Sequence, residues 1–339
     1  MPCGNPQGGR YEKRGLEGCP FPKRRVSREA ELPGRRFRQD GFPREERMGY
    51  MKRTLAAVLA LLMAALLLSG CAKKDVEYVV LDEALSDEQY AIGFRKEDQA
   101  LRDEVQRILC EMKADGTAGE IAVKWFGEDT SIIPDSVPES TATDDSLQKI
   151  KDKGTFILGL DDSFPPMGYR DENNDIVGYD IDLATEVCKR MGVELKLQPV
   201  VWDYKETELE QGNIDCIWNG MSIDPEREEK LCLSEPYMEN RQVVVTLKNK
   251  GIETVADLKD KVVALQQGST AAGALDGRED IKSVISGGEP VLVEDNVLAM
   301  YELQQGTSDA VIMDEVVARY YISHLTELSQ KADSAGEEG

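Results

Sequence analysis

From Phe156 onward the chain alternates short apolar runs with helical patterns, and this rhythm constrains the fold more than any other feature. Phe156 to Leu160, Val193 to Leu197, Ile214 to Trp218, Val243 to Thr246, Val262 to Leu265, Val291 to Val293 and Ala310 to Met313 read as strands. Between them, Ile181 to Met191 carries apolar residues at helical spacing and stops at Gly192, and another helix is predicted from Glu315 to about Ile322. Strands and helices in alternation predict α/β organisation.

The chain ahead of this region is differently built. Tyr78 to Leu81 and Ala91 to Phe94 read as strands separated by a polar stretch, Asp82 to Gln89. Asp98 is a plausible N-cap for a helix carrying Leu101, Val105, Ile108, Leu109 and Met112, which ends at Asp115-Gly116-Thr117. Ile121, Val123, Trp125 and Phe126 suggest one more short helical piece. Residues 129–147, with Pro134, Pro138 and many Ser, Thr and Asp, read as a linker.

At 339 residues, 41% hydrophobic and 31% charged, the chain has ordinary soluble composition and length for two full-sized cores. Its formal charge of −23 is unevenly spread: residues 1–70 carry fourteen Lys/Arg against seven Asp/Glu, leaving the remainder at −30. So acidic a body repels nucleic acid and anionic head groups, which sets nucleic-acid functions aside and makes any membrane attachment apolar or covalent. Lys52 and Arg53 precede fourteen apolar residues from Leu55 to Leu68, the pattern of an export signal over 51–70. That run is short for a membrane span. Its ending, Leu68-Ser69-Gly70-Cys71, resembles the lipobox of bacterial lipoproteins, which implies lipidation of Cys71 and a membrane-anchored, extracytoplasmic protein. A plain signal peptide or an uncleaved helix is the alternative. Residues 1–50 lie ahead of that signal and lack periodicity; they read as a leader from a mis-assigned start or as a basic disordered tail.

Cys110, Cys188 and Cys216 fall in apolar helical or strand positions, so buried free thiols are expected of them, and with Cys232 they show no metal-ligand spacing. The single histidine, His324, stands near the end of the structured pattern, and no glycine-rich phosphate loop is seen. No catalytic residue, metal or cofactor is assigned.

Five segments carry a resemblance. They are Gly159-Leu160-Asp161 with Phe164 and Pro166; Val177-Gly178-Tyr179-Asp180-Ile181-Asp182-Leu183; Ile214-Asp215 through Arg227; Gln267-Gly268-Ser269-Thr270; and Met313-Asp314-Glu315-Val316. In this order and spacing they resemble the family 3 solute-binding proteins, receptors for polar and basic amino acids in ABC import. The resemblance spans Gly154 to Tyr321. It implies a type II periplasmic-binding-protein fold: two α/β lobes joined by a two-segment hinge. A monomer would capture a free amino acid between the lobes and deliver it to the permease subunits.

The family ordinarily ends with a strand, a helix and an aromatic finish similar to Tyr90-Ala91-Ile92-Gly93-Phe94-Arg95-Lys96 through Lys124-Trp125-Phe126-Gly127, and here that ending comes first. A circularly permuted chain is expected. Residues 88–128 and 148–241 would form the first lobe, and 76–87 with 242–326 the second. Residues 129–147 would join the old termini, and 327–339 would be a disordered tail. The hinge crossings would lie near Asp82 to Tyr90 and Glu239 to Val243.

A planar guanidinium suits a carboxylate, and Asp224-Pro225 ahead of Arg227 opens a helix whose free N–H groups would face the same place. The plainer reading of Arg227 is a surface ion pair with Glu226, Glu228 or Glu229. The resemblance places Arg227 on the ligand's α-carboxylate, helped by Asn219, Gly220, Met221 and Ser222 and, from the second lobe, by Gly268, Ser269 and Thr270. It sets Asp314 against the ammonium, Phe164 and Trp202 around the side chain, and Asp161 at a polar or cationic tip. Simple capping by Ser269, Thr270 or Asp314 is the alternative. An aromatic wall with Asp161 suits a basic side chain, yet Asp161 could equally bond an amide, so the particular amino acid stays open.

The rival enzyme is a dehydratase of cyclic, prephenate-like acids on the same fold, with Arg227 holding a substrate carboxylate. Asp314, as an ammonium partner, favours the amino acid. A sensor-kinase or channel ectodomain is a second rival, but no stretch after Cys71 is long and apolar enough to span a membrane.

Overall fold

The apolar runs resolve into three sheets in the computed structural model, which describes residues 76–324. The leader 1–50, the signal 51–70, Cys71 and the tail 327–339 lie outside the described residues. In chain order the front segment supplies β1 (Tyr78–Val80), β2 (Ser86–Tyr90), β3 (Gly93–Arg95), α1 (Gln99–Ala114) and α2 (Thr117–Phe126). Then come α3 (Ser146–Lys153), β4 (Thr155–Leu160), β5 (Ser163–Phe164), β6 (Gly168–Arg170), β7 (Ile176–Val177), α4 (Tyr179–Met191) and β8 (Glu194–Pro199). They lead to α5 (Lys205–Glu210), β9 (Cys216–Ile217), α6 (Pro225–Lys230) and β10 (Leu231–Leu233). The rest comprises β11 (Met238–Leu247), β12 (Val263–Gln266), α7 (Ala271–Asp276), α8 (Glu279–Lys282), β13 (Val291–Val293), α9 (Asn296–Gln305) and β14 (Ala310–Asp314), with a last helix at 315–324.

The first lobe is built on a five-stranded sheet in the order β10-β3-β9-β4-β8. Its core includes Leu101, Val105, Ile108, Leu109 and Met112 of α1, all fully buried, packed with Phe156 and Leu158 of β4 and Leu183 and Val187 of α4. Losing one such side chain to alanine costs about 2–5 kcal/mol, so α1 belongs to the lobe's own core. The second lobe is built on β1-β11-β14-β12-β13. Its strands are covered on both faces: Val244, Leu265 and Ile312 meet one apolar cluster, while Val243, Val245, Val311 and Met313 meet another. β5, β6 and β7 form a small third sheet that the sequence pattern did not predict.

The polar stretch from Asp82 to Gln89 contains β2, which pairs antiparallel with the first half of β11, Tyr90 opposite Met238 and Ser86 opposite Gln242. The second half of β11 pairs with β14 and β1. β2 and β11 therefore form a two-strand ribbon that leaves the second sheet and runs into the first lobe. There, Ala91 N–H donates to Met221 O and Tyr237 N–H to Tyr90 O.

Two expectations need correction, on the cap of α1 and on the last helix, and the linker gains contacts. Asp98 precedes α1 but does not cap it: its carboxylate pairs with Arg95 at 2.7 Å, and the free N–H groups of Ala100 and Leu101 donate to Asp144 Oδ2 and Ser146 Oγ instead. The stretch between α2 and α3 is laid against the first lobe, with Ile132 N–H donating to Tyr237 O and Ile133 fully buried. The helix at 315–324, expected in the second lobe, joins both: Val317 packs in the first-lobe core and Ala318 in the second, while Tyr321 donates to Ser163 O. Cys110, Cys188 and Cys216 are buried free thiols, and Cys232 is free and partly buried. Among the described residues no helix is long and apolar enough to cross a membrane.

Candidate functional site

The ribbon forms the floor of the cleft between the lobes. Strand alternation turns Ser86, Glu88 and Tyr90 of β2 and Met238, Asn240 and Gln242 of β11 to one face and leaves Asp87, Gln89 and Glu239 exposed. Asp314, at the end of β14, pairs with Gln242 in register. Its Oδ1 accepts from Tyr90 Oη at 2.8 Å and Asn240 Nδ2 at 2.6 Å, so it does more than begin a helix. Burial, reinforced by the neighbouring Glu88 carboxylate, pushes the Asp314 carboxyl up to about 7.

On the first-lobe wall, Asp161 follows β4. Its Oδ1 accepts from Ser163 N–H at 2.9 Å and Ser163 Oγ at 2.6 Å, and its Oδ2 from Gln266 Nε2 of the second lobe at 2.7 Å. Burial raises this carboxyl too. Phe164 is buried against the turn after β9, where Gly220 has φ 57° and an added Cβ would sit 2.7 Å from the Phe164 ring. Only glycine fits both the dihedral and the contact. Gly220 N–H donates to Asp180 Oδ2 at 2.8 Å, as does Tyr237 Oη at 2.9 Å, and full burial still pushes Asp180 up to about 7.

The rest of that turn is used more structurally than the sequence suggested. Asn219 Oδ1 accepts from Asp161 N–H at 3.1 Å, which stitches two loops together. The Met221 side chain lies in a small core with Leu209, Ile214, Ile217 and Leu231, so its share in the site is the backbone's. Trp202 belongs to the same core, its ring beneath Lys205 Nζ at 4.8 Å, and it also borders a cavity of ≈270 Å³ together with Asp161 and Glu294. Ser222 Oγ points to the floor, donating to Glu88 Oε2 at 2.6 Å.

Arg227 is buried, and its partners are not Glu226, Glu228 or Glu229. Nη1 donates to Ser222 O at 2.7 Å and Nη2 to Gly268 O of the second lobe at 3.2 Å, while Nε lies 3.1 Å from Asp224. Asp224 Oδ1 caps α6 by accepting Arg227 N–H, with Pro225 at the first position. The helix start is as predicted, but that N–H group is already taken. In the second lobe Ser269 Oγ donates to Gln266 O at 2.8 Å, and Thr270 Oγ1 to Glu88 Oε2 at 3.0 Å. Gly268 has φ 74° and packs on Asp203, whose Cα would lie 2.8 Å from an added Cβ.

These contacts describe closed lobes. Asp161 with Gln266, Arg227 with Gly268, Lys205 Nζ with Gly268 O at 3.1 Å and Gln267 Nε2 with Asp203 at 2.8 Å all cross the cleft. Lys205 was not singled out in the sequence. Desolvation, with Arg227 beside it, lowers its ammonium to about 8. Glu88, Tyr90, Asn240 and Gln242 were missed as well, and the all-polar run Ser86-Asp87-Glu88-Gln89 carries no alternation that could have marked Glu88. Among the described residues no group of three or more His, Cys, Asp or Glu is placed to hold a metal ion.

Two α/β lobes on a two-strand hinge, closing over a cleft lined by carboxylates, an arginine and glycine turns, define the class of two-lobed solute-binding proteins. The chain belongs to the bacterial extracellular solute-binding proteins, family 3, which residues 156–322 match. L-cystine-binding protein TcyJ of Escherichia coli (strain K12) is 29% identical over 53% of this chain and 66% of that protein. L-cystine-binding protein TcyA of Bacillus subtilis (strain 168) is 30% identical over 56% of this chain and 68% of its own. The chain thus spans about two thirds of the length of these curated relatives. The solved structure of an ABC uptake transporter substrate binding protein from Streptococcus pneumoniae with bound histidine matches with a TM-score of 0.53 at 35% identity, covering 54% of this chain and 74% of that one.

Proposed function

We propose that this protein is the extracytoplasmic receptor of an ABC importer, capturing a polar or basic amino acid between its lobes and presenting the closed form to a membrane permease. The observation that carries this reading is Asp314. It is a buried carboxylate acted on by Glu88, Tyr90 and Gln242, with no cation among those groups. A ligand ammonium is the complement it calls for, and Arg227 with the hydroxyls of Ser222 and Thr270, which here donate to carbonyls and to Glu88, would serve a ligand carboxylate. Relatives named for cystine and a neighbour holding histidine agree with this ligand class. The same carboxylate favours binding without turnover over a dehydratase, whose cyclic acid substrate brings no ammonium. Phe164 and Asp161 would face the ligand side chain, with Trp202 nearby.

Two finer parts belong to this reading. The chain order is a circular permutation: β3 and α1 complete the first lobe from the front of the chain, and β1 and β2 pair with β11. Leu68-Ser69-Gly70-Cys71 supports a lipid on Cys71, which would tether a monomer through the second lobe. A thermal-shift screen of the purified chain against the common amino acids, cystine and ornithine tests the function, since a ligand of the native state raises its melting temperature. A rise with polar or basic amino acids is expected. A flat response to all of them, with a shift from prephenate-like acids, would replace the reading with the enzyme.

A further inference from the structure

Glu88 stands midway along β2, on its inward face and directly opposite Asn240. Its Oε2 accepts from four side chains: Ser222 Oγ at 2.6 Å, Thr270 Oγ1 and Gln242 Nε2 at 3.0 Å, and Asn240 Nδ2 at 3.2 Å. Ser222 belongs to the first lobe and Thr270 to the second, so a single oxygen ties the two lobes across the closed cleft. An ionised carboxylate only accepts, and bonds from hydroxyls and amides to it are charge-assisted. Glu88 also lines one cavity of ≈820 Å³ with Arg227, Gly268, Ser269 and Thr270, the groups assigned above to the ligand carboxylate.

We infer that Glu88 is an internal carboxylate occupying the anion position of the closed cleft, and that an incoming ligand carboxylate must displace it. This rests on the amino-acid-receptor reading. Glu88 is then the residue that sets how much of the free protein is open to ligand. The ligand enters the open form, while the latched form removes protein from the competent population, so the apparent dissociation constant is the intrinsic one divided by the open share. The bound form, with its own carboxylate between Ser222 and Thr270, does not use the latch. Removing Glu88 therefore strengthens binding, whereas a residue that touched the ligand ammonium would weaken it when lost.

The test compares the whole purified chain with Glu88→Ala and Glu88→Gln. Small-angle scattering of the ligand-free proteins would be combined with calorimetric titration of L-arginine, L-histidine and L-cystine. Both variants are expected to show a larger free radius of gyration than the unaltered chain, and Glu88→Ala to bind the accepted ligand about tenfold more tightly. Glu88→Gln keeps the shape and gains an N–H donor facing other donors, so it shifts the same way if alanine fails to fold. Weaker or unchanged affinity, or an unchanged radius, overturns the latch and leaves the receptor reading standing. Opening of the free variants with none of the three ligands bound by any protein supports the latch and counts against the receptor reading.

Discussion

Asp314 and Asp180 are the two carboxyls that burial drives furthest, each up to about 7 from an ordinary value near 3.8. Both protonate more readily in the folded chain than in the unfolded one. Their sign is therefore fixed: between about pH 4 and pH 7 the unfolded chain loses these protons first, and stability falls as pH rises through that window. We expect Asp314→Asn to remove about half of this decline, because the two groups are shifted alike, and melting curves from pH 4 to pH 8 would show it. Slopes identical to the unaltered chain would place Asp314 outside the buried network. Asp314 and Arg227 were singled out by the resemblance, since their local patterns alone read as a helix cap and a surface ion pair. Glu88, Asn240 and Gln242 were not legible, because the partners that give Glu88 its place lie 152 and 154 residues away in the chain.

Among the elements, β3 shows how the front segment enters the fold. It lies between β10 and β9, inside the first-lobe sheet, and α1 covers the core beside it. We expect a reordered chain, with residues 76–128 placed after 324 through a short flexible connection and 129–145 removed, to fold and keep its ligand affinity within about threefold. Matching melting and titration curves would check this. A reordered chain that folds but loses binding would count against the permutation. The strands of the α/β region were readable because each is a continuous apolar run bounded by polar residues. β2 was not, since Ser86-Asp87-Glu88-Gln89 is polar on both faces and becomes a strand only when β11 supplies its ladder. The cap of α1 failed for the same reason. Asp98 had the right residue type, but Arg95 holds its carboxylate, while Asp144 and Ser146 arrive from more than forty positions away.

At the scale of the molecule, function rests on two lobes meeting over a shared floor, and at Gly268 the second-lobe backbone lies directly against the first lobe. An added Cβ there would lie 2.8 Å from the Asp203 backbone across the cleft, at a φ that side chains rarely adopt. Gly268→Ala is expected to leave a folded protein that cannot close fully. Its amino-acid affinity should fall about tenfold or more, with a ligand-bound scattering radius larger than that of the unaltered chain. A bound radius equal to that of the unaltered chain would show that closure tolerates the methyl group. The most direct test of the receptor itself is calorimetric titration of its best amino-acid ligand into the unaltered chain and into Arg227→Ala. We expect saturable one-to-one binding that weakens about 100-fold or more when the buried guanidinium is lost, while the variant still unfolds cooperatively. Affinity unchanged in Arg227→Ala, or no amino acid bound by the unaltered chain, would contradict it.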